Sequence, residues 1–147
     1  MTSFWSAAIL IAVCIGAITA SDADAAAKWP QCEGTRYKFR DNLKSRFLLQ
    51  LSSNGSLKDI LSSLKYSCEL ERYSHHVIDF AVMCYKPKYF CTRFIRRSSG
   101  SETVENVMVT AATTMKEAVE KKGNAAQFGC NYQMKGNNHV VVCVFTK

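Results

Sequence analysis

Apolar positions change their period along this chain, and each period names an element. Over 36–51, Phe39, Leu43, Phe47 and Leu51 recur every four residues, one face of a helix. Arg36, Lys38, Arg40, Lys44 and Arg46 supply its polar side. A second apolar repeat runs through Ile60, Leu61, Leu64, Cys68, Tyr73, Val77 and Ala81. Ser56 and Asp59 form a capping-box variant at its start, and its length up to Cys84 predicts a break near 65–67. A third helix starts near Ser101 or Thr103, with Val104, Val107, Met108, Ala111, Met115 and Val119 as its apolar stripe. Lys121, Lys122 and Gly123 end it, with cations at the negative end of the dipole and glycine as the stop. Aromatic and β-branched residues over 85–97 predict a strand.

The tail reads as a β-hairpin. Gly136-Asn137 is a favoured turn dipeptide because both residues tolerate positive φ. A turn there pairs Lys135 with Asn138 and places Cys130 opposite Cys143 at a non-hydrogen-bonded position, where Cα atoms lie about 4.5 Å apart. That lies within the roughly 4.4–6.8 Å window for a disulfide, so Cys130–Cys143 is predicted to be a bridge. Two or three helices with a small antiparallel sheet make a disulfide-stapled α+β domain.

Cysteine usage adds the compartment. Residues 4–20 carry no charge and end in small residues, the pattern of a signal peptide spanning 1–20, with cleavage after Ala20 or as late as Ala25. A retained anchor is the competing reading, but the stretch is short for a membrane span. After it come an N-terminal extension, 21–31, and a single domain, 32–147. Six cysteines then remain, an even number that suits a secreted, extracellular chain. Spacing leaves the pairing of Cys32, Cys68, Cys84 and Cys91 open. Zinc competes for these thiols, yet no short Cys-x-x-Cys or His-x-x-x-His pair is present, so no metal and no cofactor is expected. Asn54-Gly55-Ser56 is an N-glycosylation acceptor pattern that marks Asn54 and a loop.

Two blocks resemble a known family. Leu64-Lys65-Tyr66-Ser67-Cys68-Glu69-Leu70-Glu71-Arg72-Tyr73-Ser74 resembles the helix of nematode secreted CAP (SCP/TAPS) proteins, which reads aromatic, acidic, Cys, any, Leu-Glu. Gly129-Cys130 followed by Val140-Val141-Val142-Cys143-Val144-Phe145 resembles the closing pattern of that family. Their order suits a divergent, shortened member, similar to the hookworm Ancylostoma-secreted-protein-related group. The resemblance implies an α/β/α sandwich and a non-enzymatic effector, secreted by a parasite, that engages host molecules. Full CAP domains carry a cavity of two His and two Glu. Here the position of its first His falls near Arg46-Phe47, and 101–123 lacks the His-x-x-x-x-x-Trp feature. That chemistry therefore does not carry over. Lipid or sterol binding, a property of some CAP proteins, has no apolar signature here.

Candidate catalytic groups are few. His75 and His76 are adjacent on a helix and diverge by about 100°, so they cannot chelate as a unit. One is expected at the core edge and the other in solvent. His139, beside the turn, is expected to be exposed. A ribonuclease-like site would draw His75 or His76 together with His139 and Lys135, but nothing in the spacing selects it. The chain has neither a Gly-x-Ser-x-Gly elbow nor a His-Glu-x-x-His helix. Charge is the stronger lead, at +7 net. Over 86–97, Lys86, Lys88, Arg93, Arg96 and Arg97 interleave with Tyr89, Phe90 and Phe94, a candidate anionic-binding patch for sulfated glycan or a host extracellular protein. A small basic enzyme or antimicrobial, glycan-binding protein is the alternative class. A solvated basic face with no ligand is the plain one.

Overall fold

The last strand shows how the layers are stacked. Residues 140–145 form an apolar run in which every member is buried. Val141, Cys143 and Phe145 belong to one core cluster, and Val140, Val142 and Val144 to another. A strand apolar on both faces has to lie between two layers.

The computed structural model describes residues 29–147 except 35, 54, 82, 83, 85, 86, 122 and 123, and only the backbone of 55–58. The expected signal peptide, the extension up to residue 28, Asn54, Lys86, Lys122 and Gly123 lie outside the described residues. In chain order the elements are α1 (Asp41–Ser52), α2 (Gly55–Ser63), β1 (Lys65–Tyr66), α3 (Cys68–Asp79), β2 (Tyr89–Arg97), α4 (Val104–Glu120), β3 (Gln127–Lys135) and β4 (Asn138–Thr146). The sheet order is β1-β3-β4-β2. β4 pairs antiparallel with both β3 and β2, whereas β1 runs parallel to β3. Helices α1, α2 and α4 pack into the larger cluster on one side of the sheet, and α3 covers the other through Leu70, Val77 and Ile78. The result is an α+β, three-layer α/β/α sandwich.

The hairpin has the register its turn dictates: Lys135 faces Asn138, and Cys130 faces Cys143 with Cα atoms 4.0 Å apart. Gly136 takes φ +56°, the left-handed conformation the turn needs. Cys130–Cys143, Cys32–Cys68 and Cys84–Cys91 are the three bridges.

The second periodic segment breaks where expected, but the break is itself structural. Lys65 and Tyr66 extend to pair with Gln127 and Phe128, making the sheet mixed. Ser67 then caps α3 by accepting a hydrogen bond from the Leu70 N–H. The first helix starts later than the pattern suggested, at Asp41. Residues 29–34 and 36–40 form a strap along the sheet, and Phe39 faces the core from it rather than from a helix. α4 opens at Thr103, which accepts from the Asn106 N–H, and buries Val107, Met108, Ala111, Met115 and Val119 as expected.

A groove beneath a basic strap

The strap is fixed by one buried carboxylate. Glu71 lies on the inward stripe of α3 and is 1% exposed. Its carboxylate accepts from the Lys44 ammonium at 3.2 Å, the Tyr66 hydroxyl at 2.6 Å and the Phe39 N–H at 2.8 Å. Lys44, expected on a solvated polar side, is instead buried, and it also donates to the Pro30 carbonyl at 3.0 Å. A buried charge is tolerable only when paired and hydrogen-bonded, and here Lys44 supplies the opposite sign while Tyr66 and Phe39 supply further donors. Burial, and then the Glu71 charge beside it, push the Tyr66 phenol well above its ordinary value, so it stays a donor.

Further ties hold the strap to both neighbours. The Cys32–Cys68 bridge joins it to the start of α3. The Asn131 amide donates to the Tyr37 carbonyl at 2.7 Å and the Glu71 carbonyl at 3.2 Å, lacing strap, helix and β3 together. Trp29 packs edge-on against Tyr66 and Phe128. Gly129 explains the Gly-Cys pair. A Cβ there would sit 2.6 Å from the Leu70 carbonyl carbon and the Ser67 oxygen, so only glycine lets α3 approach β3 this closely.

With Tyr37 half-buried and Phe39 buried, Arg36, Lys38 and Arg40 alternate outward and are exposed. They rim a groove of about 470 Å³ whose other walls include His75, Tyr132 and Glu105. Lys38 pairs with Asp41 at 3.2 Å. Among the described residues, Arg36 and Arg40 have no carboxylate partner. Tyr132 donates to, or accepts from, Nδ1 of His139 at 2.9 Å. Burial raises the Tyr132 phenol, with Arg40 opposing, so the groove presents a neutral hydroxyl at pH 7. Three cations against the single lining carboxylate, Glu105, leave the groove net positive, and such cations can hold an anion by charge-assisted hydrogen bonds.

The expected sites are dispersed. His139 is buried, 1% exposed, because β4 is the central strand and its residue 139 points to the α4 side. His75 and His76 are both half-buried, with rings 4.6 and 5.7 Å from that of Tyr37, so neither is in open solvent. His75 is on α3 and His139 faces the opposite layer, so the sheet separates the imidazoles that a ribonuclease-like site would join. Of the 86–97 cations, Arg93 and Arg97 share one side of β2, while Arg96 is on the other and pairs with Glu102 at 3.2 Å. Lys88 precedes the strand, its ammonium 5.3 Å from the Tyr89 ring centre. They form an edge, not a converging cluster. Sequence reasoning missed the strap and its groove. The available signal was Glu71 itself, a carboxylate in helical register with Ser74 and Ile78 on a buried stripe.

This sandwich, with its Gly-Cys approach and stapled hairpin, is the CAP fold in divergent form. The chain belongs to the Ancylostoma-associated secreted protein related family, whose model matches residues 32–145. Among solved structures, NaASP2 with Zn2+ aligns at a TM-score of 0.55 and 12% identity, over 76% of this chain and 82% of that one. The Ancylostoma-secreted protein Ac-ASP-7 aligns at 0.52 and 16% identity, over 79% of this chain and 72% of that one. No curated protein matches by sequence. Zinc belongs to the NaASP2 structure; among the described residues here, no group of three His, Cys, Asp or Glu side chains is placed to hold a metal. Three disulfides point to an oxidising, extracellular setting. No helix among the described residues is long and apolar enough to cross a membrane.

Proposed function

We propose that this chain is a secreted, non-enzymatic binding protein of a parasite that engages anionic groups on host extracellular molecules, with the groove under the strap as its receiving site. The observation that carries this reading is the placement of Arg36, Lys38 and Arg40. Three exposed cations follow one another on a non-helical segment whose backbone is held by Glu71, Asn131 and a disulfide. Such a row costs little further ordering when an anion arrives, because its scaffold is already rigid. Sulfated glycan fits it best: sulfates repeat along a chain, and guanidinium groups bind their oxygens in a fork.

Heparin chromatography of the oxidised chain tests this. Retention should persist beyond about 0.15 M salt, where weak surface attraction is screened. The Arg36→Ala/Lys38→Ala/Arg40→Ala variant should elute below that salt, and Arg93→Ala/Arg96→Ala/Arg97→Ala should shift far less. Elution of the wild type below physiological salt, or equal shifts from both triple variants, overturns the assignment to the groove.

A further inference from the structure

The second basic surface has a different geometry, and it fits a different partner. Among the described residues, β2 is the outer strand on its side of the sheet. Beyond its end, the Ser98 N–H donates to the Asn137 carbonyl at 2.7 Å, which fixes the phase of the ladder. Counting inward, Thr92, Phe94 and Arg96 turn their backbone groups toward β4, and Arg93, Ile95 and Arg97 turn theirs outward. All three outward residues are exposed, Ile95 by 57%. Their side chains share one face, in line with Val142, Val140 and Asn138 of β4. The Arg93 guanidinium donates to the Val77 carbonyl at 3.3 Å, which anchors it near the end of α3.

We propose that the 93–97 edge receives an extended acidic segment of a partner protein as an added strand, with an apolar side chain beside Ile95 and carboxylates two residues either way beside Arg93 and Arg97. Unpaired outward N–H and C=O groups are what a strand adds to, and alternate side chains set its specificity. A glycan has no backbone ladder to offer. A second copy pairing antiparallel about Ile95 would set Arg93 against Arg97 at both ends, and like charges directly opposite are unfavourable. The edge thus rejects itself and selects acid. This goes beyond the groove reading and does not depend on it.

The probe is a labelled peptide, acetyl-Thr-Glu-Thr-Val-Thr-Glu-Thr-amide, added to the full oxidised chain. Amide hydrogen exchange should slow at Arg93, Ile95 and Arg97 and stay unchanged at Phe94. Arg93→Glu/Arg97→Glu should weaken the peptide about tenfold and favour its Glu-to-Lys counterpart, since two attractive cross-strand pairs become repulsive. N-methylating the peptide amides that face the edge should weaken it at least as much. Ile95→Pro gives a second check, because it removes an outward N–H and spares the ladder to β4. Absence of binding, binding that N-methylation leaves intact, unchanged exchange at the three amides, or self-association of the chain in place of peptide binding overturns the proposal. The groove variant should bind the peptide as the wild type does, which separates this failure from that of the groove.

Discussion

The hairpin of β3 and β4 and the strap over 29–40 lie on neighbouring parts of one sheet and are held by opposite means. The hairpin is local: turn, register and bridge all fall within 127–146, and its apolar run buries itself on both faces. The strap has little local structure of its own. Phe39, Pro30 and Tyr37 are tied through Glu71, Lys44 and Asn131, contacts that reach up to 94 positions along the chain. Periodicity specifies the first kind of element, and a buried polar hub specifies the second. The groove belongs to the second kind, so the hub decides whether Arg36, Lys38 and Arg40 stand together.

The largest effect should come from Glu71. Glu71→Ala leaves the buried Lys44 ammonium with only the more distant Asp41 carboxylate, 3.7 Å away, and removing one partner of a buried pair costs up to about 3–5 kcal/mol. Urea unfolding should record that loss, and heparin retention should fall with it as the strap loses the Phe39 anchor. Replacing both charges, Glu71→Leu with Lys44→Met, should recover much of the stability but not the retention. A single-variant cost under about 1 kcal/mol would show that the hub does not hold the strap.

Removing the hairpin bridge separates the two regions from the other side. Cys130→Ala/Cys143→Ala opens a bridge of sequence separation 13, and closing a loop of that size is worth about 3 kcal/mol in the chain-entropy account. The expected outcome is lower stability with the register intact, because the Gly136-Asn137 turn still pairs Lys135 with Asn138 and only Gly129 leaves room for α3 against β3. Exchange-protected amides in β4 and unchanged heparin retention check this. A slip in register would mean that the bridge, not the side-chain pattern, sets the pairing.

The difference explains what was legible beforehand. The Gly136-Asn137 turn, the Cys130–Cys143 pairing, the stripe of α4 and the break at 65–67 rest on neighbours a few residues apart, and all lie where the pattern placed them. The start of α1 did not, because Arg36, Lys38 and Arg40 fit a helix surface as well as an exposed row on a non-helical strap. Only Glu71, thirty-two residues from Phe39, decides between them. His139 escaped for a similar reason: proximity to a turn suggests exposure, but its strand is central. Of the 86–97 cations, strand alternation divides Arg93, Arg96 and Arg97 between two faces.

The smallest effect lies where the two regions meet on α3. Tyr37 of the strap packs on His75, His75 Nδ1 is 3.0 Å from the Asp79 carboxylate, and Asp79 accepts from Lys135 of the hairpin. The Lys135 hydrogen bond, ahead of the nearby charges, holds Asp79 below the usual carboxylate range. Burial, more than His76 or Lys135, lowers His75. Both shifts have the same sign in stability. As pH falls below about 6.5, the unfolded chain protonates its histidine before folded His75 does, and stability declines. Below about 4 the same applies to Asp79, whose contribution is present above that pH and lost as pH drops through its lowered value. Lys135→Ala should therefore flatten the wild-type loss between about pH 5 and 3, and His75→Asn the loss between about pH 7 and 5. Each change should stay under about 1 kcal/mol, as for other solvent-accessible pairs. Denaturant midpoints across pH measure both. If Lys135→Ala leaves the acid limb unchanged, this chain of contacts does not link hairpin and strap, and their coupling rests on the Trp29–Phe128 packing and on Asn131 with Glu71.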